Sequence, residues 1–423
     1  MVGQATEKRV KNGKVVRYMI RNNKYIIGRK IFMLTLIKNG EVYAPDYLGK
    51  KDVLLVGKQI GFVQDTIERP EHFVEIDVID ASGMLIVPGF IDAHVHLIGG
   101  GGEGGYKTRT PEIQLTDATL AGITTLVGVI GTDGTTRTMP ALLAKARALE
   151  EEGLTCFVQT GSYQVPVKTL TGKIEDDLIL VDKIIGVGEI AIADHRSSQP
   201  TVGEIAKLAS QARNGGLLSG KSGIVNIHVG DSYDHLQVIE EVVEKTELPI
   251  SQFYPTHINR NPHLFEAGIK FAQKGGYIDF TTSTVQQFLD DGEVKASKAL
   301  KQALDAGVEP TKITFTSDGQ ASLPNFDGAG NLLGLNVGKC MSLYKAVIDA
   351  IIEDGVSIED AVRVVTENPA SILKLAGKGR IEAKKDADLI LLNKETYKID
   401  TVFAMGQKMI ENGEAIVKGT FEN

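Results

Sequence analysis

Two histidines one residue apart, His94 and His96, follow the run Pro88-Gly89-Phe90-Ile91-Asp92. In an extended strand residues i and i+2 share a face, so both imidazoles reach one cation. Further candidates end later β-like runs: His228 in GIVNIHVGDS, His257 in SQFYPTHINRN and Asp318 in KITFTSDGQAS. Nitrogen and carboxylate donors of this kind suit zinc or a related divalent ion. A single histidine at a strand end is most often a cap or a satisfied core group. Four of the chain's eight histidines placed this way, with an aspartate, form a pattern. Glu189, in GVGEIAIADHR, lies between the first pair and the later two histidines and offers one oxygen to each of two ions. An uncompensated buried carboxylate is costly, and a pair of cations is a reason to place one there. His195, in the same segment, is expected behind the ligands or in the core, and His72, His235 and His263 at the surface.

The groups around these candidates speak of substrate. The glycine run 99–105 lacks the Gly-Lys-Ser/Thr ending of a phosphate loop. It reads instead as a tight loop on the pocket floor that presents Glu103 and lets a ligand approach the backbone. Arg196 and Arg260 follow two of the strand ends, and two guanidinium groups suit a ligand with two carboxylates. Glu103 suits an ammonium group. Tyr163 and Ser322 offer hydroxyl contacts.

Converging these residues requires a scaffold that gathers strand ends. From 86 to 375, β-like runs such as TTLVGVIG, TCFVQTG, GIVNIHVG and YIDFTTS alternate with helical patterns such as MPALLAKARALEEEG and HLFEAGIKFAQKGG, several ending in Gly. This alternation predicts a (β/α)8 TIM-type barrel, whose strand ends meet on one face, ahead of a doubly wound sheet. Residues 33–85 and 376–423 are strand-rich with Asn-Gly and similar turns, and predict one small β-sandwich domain built from both ends of the chain. Residues 1–32 carry nine lysines and arginines against one glutamate. They are expected to be a disordered or non-native leader without a signal peptide, with Met33 as a plausible original start.

Composition narrows the classes further. The chain of 423 residues is 42% hydrophobic and 24% charged, enough for a large core. Beyond the leader, 37 basic residues face 53 acidic ones. An acidic body without Trp argues against a nucleic-acid partner. No apolar run reaches the ~18–20 residues of a membrane span. Two cysteines, Cys156 and Cys340, make no disulfide framework, so a reducing, cytoplasmic location is expected.

The motifs HVHLIGGGGEGG, RTPE, VIGTDG, ADHRSSQP, PTHINRN, FTSDG and VKGTFE together resemble the isoaspartyl (β-aspartyl) dipeptidases of the amidohydrolase superfamily, from about Leu34 to the C-terminus. The resemblance implies two zinc ions per subunit, one held by His94, His96 and Asp318, the other by His228 and His257. It implies that a hydroxide between the metals attacks the side-chain amide of a β-aspartyl dipeptide, with Asp318 moving protons and Tyr163 steadying the oxyanion. Glu103 with Gly101 and Gly102 would take the α-amino group, Arg196, Arg260 and Ser322 the carboxylates, and Thr132 would complete the pocket. A small dipeptide substrate and a homo-oligomer follow as expectations. One departure stands out: the family pattern bridges its metals with a carboxylated lysine, whereas the aligned residue is Glu189 and the nearest lysine is Lys183. Two rivals remain open: hydrolysis of N-acyl amino acids or cyclic amides, and a metal-free scaffold of the same fold.

Overall fold

A computed structural model describes residues 25–26, 29–30, 34–69, 75–326 and 332–422. Most of the basic leader and His72 therefore lie outside the described residues. Eight parallel strands build the central body: β1 (Phe90–Val95), β2 (Ile123–Gly128), β3 (Thr155–Thr160), β4 (Ile184–Ile192), β5 (Ile224–Val229), β6 (Phe253–Thr256), β7 (Ile278–Thr281) and β8 (Ile313–Thr316). Strands β1 to β6 pair in sequence order and β7 pairs with β8. The seams close through Ile258 N–H donating to the Asp279 carbonyl at 3.1 Å and His96 N–H to the Gly319 carbonyl at 2.9 Å. The sheet is thus a barrel, as the alternation of elements predicts.

Continuous burial along β1, β2, β4 and β5 reflects strands covered on both faces, the usual state of a parallel sheet under helices. The helices carry their own start signals. Thr201 caps Val202–Ser219 reciprocally with Glu204, and Asn261 caps Pro262–Gln273. At the amino-terminal ends of the strands, Ile91, Ile185, Ile224 and Tyr254 pack on Ile372, Leu373 and Leu375, which plug the barrel floor. Above that layer, Asp279 accepts hydrogen bonds from Thr256, Thr314 and Thr316. Chemistry is left to the opposite, carboxyl-terminal end. Among the described residues, no helix is long and apolar enough to cross a membrane.

The chain ends form a separate nine-stranded sheet. Its long strand Leu34–Tyr43 pairs with Tyr47–Val56 on one edge and shares the other between Ile76–Asp80 and Met84–Pro88. The sheet divides at that point around Ile37, Val53, Leu55, Ile60, Ile86 and Phe403. Lys378 ties this sheet to the barrel. Its buried ammonium donates to Asp388 and to Thr155 of β3, both at 2.7 Å, and meets Asp386 at 3.0 Å. Lys378→Met leaves buried Asp388 uncompensated and is expected to cost about 3–5 kcal/mol of stability. The double variant Lys378→Met/Asp388→Leu should recover most of it in urea denaturation. An unshifted single-variant midpoint would remove this pair from the list of forces joining the two parts.

Candidate active site

The barrel brings the candidate ligands to one buried point. His94 and His96 stand on and just past the end of β1, His228 on β5, His257 just past β6, and Asp318 two residues past β8. Glu189 lies within β4 and is 1% exposed. Its Oε2 is 3.3 Å from His94 Nε2, 3.1 Å from His228 Nδ1 and 3.8 Å from His257 Nε2, while its Oε1 is 3.5 Å from His96 Nε2. Asp318 Oδ1 lies 3.1 Å from His96 Nε2 and 3.7 Å from His94 Nε2. Lys183, by contrast, stands before β4 and pairs with Glu150, away from this cluster. Two of the convergent residues adopt the left-handed backbone region, His257 with φ 67° and Asp318 with φ 53°. That conformation costs an L-residue roughly 1–3 kcal/mol and collects at working sites.

The donor set fits metal ions. His94, His96 and Asp318 offer atoms within 4.8 Å of one another, as do His94, Glu189 and His257. His94 Nε2, Glu189 Oε1 and Asp318 Oδ1 are buried without a hydrogen-bond partner among the described residues, an arrangement a cation would satisfy. Three of the histidines are also held from behind: His94 Nδ1 by Asn226 Oδ1 at 3.0 Å, His257 Nδ1 by Thr281 Oγ1 at 2.6 Å, and His228 Nε2 by Asp194 Oδ2 at 3.0 Å. Such contacts leave the opposite nitrogen of each ring for a ligand role. Electrostatics follow from this crowding. Burial disfavours the charged form of His94, but Glu189 and Asp318 outweigh it and raise its pKa to about 9. Burial, with Arg260 and His228 adding, pushes His257 down to about 3. Glu189 and Asp318 are held well below the usual carboxylate range: burial opposes this, and the surrounding imidazoles overcome it.

The substrate candidates line the mouth. His96, Gly101, Glu103, Thr132, Tyr163, Arg196, Arg260 and Ser322 surround an inner space of 50 Å³ above the ligands. It adjoins an outer chamber of 640 Å³ walled by Phe288, Glu293, Leu323 and Leu335. Glu103 accepts from Thr132 Oγ1 at 2.8 Å and faces Arg196 Nη1 at 3.4 Å. The Tyr163 hydroxyl lies 2.8 Å from His228 Nδ1. Burial, and then the charge of Glu189, raises the Tyr163 pKa well above its ordinary value, so the phenol keeps its proton. Gly101, at φ +65°, has room for no side chain, since a Cβ would meet Ser322 Cβ at 2.8 Å and the Thr108 carbonyl at 2.7 Å. Gly102 does not reach the inner space and lies in an adjoining groove with Arg109.

Some expectations are corrected. His195 is neither behind the ligands nor in the core: its side chain is 87% exposed, because the chain leaves β4 and turns Asp194 inward instead. His235 is half-buried rather than at the surface, while His263 is exposed. Sequence reasoning passed over Asp194, Asn226 and Thr281, which hold the histidines. It also passed over Arg137, a buried side chain that donates to the Ile98 and Gly100 carbonyls and steadies the glycine loop. Glu293, raised to about 7 by burial, was missed as well, together with the hairpin Ser322–Phe326/Leu332–Val337. The leucines of SLPNF and LLGLNV were the available signal for that hairpin. A larger depression of 700 Å³ at the other end of the barrel contains none of the candidate ligands. Its Lys183, Lys221 and Lys378 are already paired within the chain.

The profile of the amidohydrolase family matches residues 85–414, the whole barrel and the carboxyl-terminal strands of the terminal sheet. The chain belongs to the amidohydrolase family. Among solved structures, this amidohydrolase is similar to a β-aspartyl dipeptidase from Fervidobacterium islandicum AW-1 in complex with β-Asp-Leu. That match has 43% identity and a TM-score of 0.86 over 92% of this chain and 98% of that one. A second structure of a β-aspartyl dipeptidase from that organism matches at 41% identity and a TM-score of 0.82, over 90% and 98% of the two chains. Dihydropyrimidinase from Brevibacillus agri shares the fold at 16% identity and a TM-score of 0.64, over 92% and 97%. A dihydroorotase from Staphylococcus epidermidis is 32% identical over 162 residues, so the match spans 38% of this chain and only about a third of that enzyme's length, 35%.

Proposed function

We propose that this amidohydrolase is a binuclear zinc β-aspartyl dipeptidase, hydrolysing the side-chain amide bond between aspartate and the next residue. The observation that carries the reading is the placing of one carboxylate, Glu103, and two guanidinium groups, Arg196 and Arg260, around the entrance to the histidine–carboxylate cluster. That charge pattern complements the ammonium and carboxylate groups of a β-aspartyl dipeptide better than it does a neutral ring or an acylated amine. The likeness to β-aspartyl dipeptidase structures over most of both chains supports it.

In this reading His94, His96 and Asp318 would hold one zinc ion, His228 and His257 the other, and Glu189 would bridge them. When bound, the two cations would lower the pKa of water and polarise the substrate carbonyl. The remaining work belongs to the chain. Glu103, with Gly101 and Thr132 beside it, holds the α-ammonium group, and Arg196, Arg260 and Ser322 hold the carboxylates. Without substrate, Glu103 and Arg196 face each other at 3.4 Å, so a zwitterion replaces one contact with two. Asp318 takes the proton of the attacking water and delivers it to the departing amine. The protonated Tyr163 donates to the oxygen on which charge develops. The products are aspartate and a free amino acid.

The partial likeness to dihydroorotases favours a second reading, cyclic amide hydrolysis. A substrate panel separates the two. Turnover of β-Asp-Leu is expected to exceed that of dihydroorotate and of N-acetyl amino acids by at least ~10³ in kcat/KM, because a site built to pair charged groups rejects analogues that lack them by ~10⁴. Comparable or better turnover of dihydroorotate would reverse the assignment. Metal analysis of the purified protein tests the cofactor, two zinc ions per subunit being expected. Sedimentation tests for the homo-oligomer.

A further inference from the structure

We infer that Asp194 is a positioning residue that couples the carboxylate-binding Arg196 to the metal-binding form of His228. Asp194 is 4% exposed and sits where the chain leaves β4. Both of its oxygens are engaged. Oδ1 accepts from the Arg196 backbone N–H at 2.7 Å and from Nε at 3.0 Å. Oδ2 accepts from Arg196 Nη2 at 2.7 Å and faces His228 Nε2 at 3.0 Å.

The consequence for His228 is chemical. A carboxylate only accepts, so its contact with Nε2 requires the proton to sit there. The Nδ1 lone pair then faces inward, where the Tyr163 hydroxyl lies 2.8 Å and Glu189 Oε2 3.1 Å away. Three other neighbours pull the opposite way, the first being Glu189 itself, a carboxylate that favours a proton on Nδ1 until cations take up its charge. Arg196 Nη2 and Arg260 Nη1 both lie 3.4 Å from Nε2, and as donors they favour an unprotonated Nε2 with the proton moved to Nδ1. That tautomer would present N–H where a cation must bind. With Glu189 engaged by the cations of the two-metal reading, the charge of Asp194 decides the contest against the two guanidinium groups, and an amide at that position would not. The same carboxylate fixes the guanidinium fork of Arg196, whose central carbon lies 5.4 Å from the Tyr163 ring centroid. One side chain therefore sets both a substrate contact and a ligand.

The test uses full-length zinc-loaded protein and rests on the two-metal reading above. Asp194→Asn is expected to release the second zinc equivalent at a chelator concentration about 10–100-fold lower than the parent protein does. The KM for β-Asp-Leu should rise about tenfold or more in the same variant, because the fork of Arg196 is no longer held. Arg196→Gln should raise KM similarly and leave zinc release unmoved, which a merely structural role of Asp194 would not separate. Asp194→Ser serves for the same titration if the amide variant does not fold. Parent protein that takes up fewer than two equivalents would overturn the two-metal reading. Parent protein with two, beside Asp194→Asn with unchanged zinc release, would overturn this inference alone.

Discussion

Asp318→Asn is expected to lower kcat on β-Asp-Leu by about 10³–10⁴, the upper range for losing a positioned proton carrier, while the Kd for the dipeptide changes less than about threefold. The asymmetry follows from where Asp318 stands. It lies at the floor of the inner space, 3.1 Å from His96, whereas the groups proposed to bind substrate charge, Glu103, Arg196 and Arg260, sit at its mouth. Asparagine retains an oxygen that can face His96, but it cannot take up a proton from water and return it to an amine. Single-turnover assays at high enzyme concentration, with calorimetric titration of the dipeptide, read the two quantities separately. A variant with kcat near that of the parent protein would exclude Asp318 as the proton carrier.

Glu189→Ala should have an effect of similar size by a different route. Four imidazole nitrogens converge on the two oxygens of this carboxylate at 3.1–3.8 Å. Two dications drawn into one buried pocket repel strongly, and a shared carboxylate is the group that offsets the repulsion. The variant is expected to retain at most one zinc per subunit and to lose about 10³ or more in kcat/KM. Because the bridge is a native carboxylate, metal-stripped parent protein should regain both zinc ions equally well with and without bicarbonate, as a carboxylated lysine could not. An alanine variant that keeps two zinc ions and full activity would sink the bridging role. Dependence of the parent protein on bicarbonate would show that some other residue, modified by carbon dioxide, holds the metals.

Much of this site was legible in the residues themselves. His94, His96, His228, His257 and Asp318 could be picked out because a metal demands particular donor types and because period-two strands deliver them at recognisable places. The barrel was legible for the same reason, since each buried parallel strand is a short apolar run and several helices carry their own cap or stop. Glu189 was legible by its position in a strand that otherwise holds only apolar and small side chains.

What could not be read lies where chain direction leaves regular periodicity. Past β4 the alternation ends, so nothing local tells Asp194 from His195. The fold turns the aspartate inward and leaves the histidine 87% exposed. The partners of the ligand histidines, Asn226, Thr281 and Asp194, are separated from them by 132, 24 and 34 residues, and no sequence spacing encodes such contacts. Likewise Arg137 meets the glycine loop only once the loop is folded, 37 residues from Gly100. The sequence by itself determined which residues could bind metal and on which kind of scaffold, because donor chemistry and strand periodicity are local properties. Only the tertiary structure decided which nitrogen of each imidazole faces inward, which arginine is held by which acid, and that Glu189 stands among four histidines while Lys183 is paired elsewhere. Those outcomes depend on side chains meeting across the barrel, where burial makes every unmatched charge expensive.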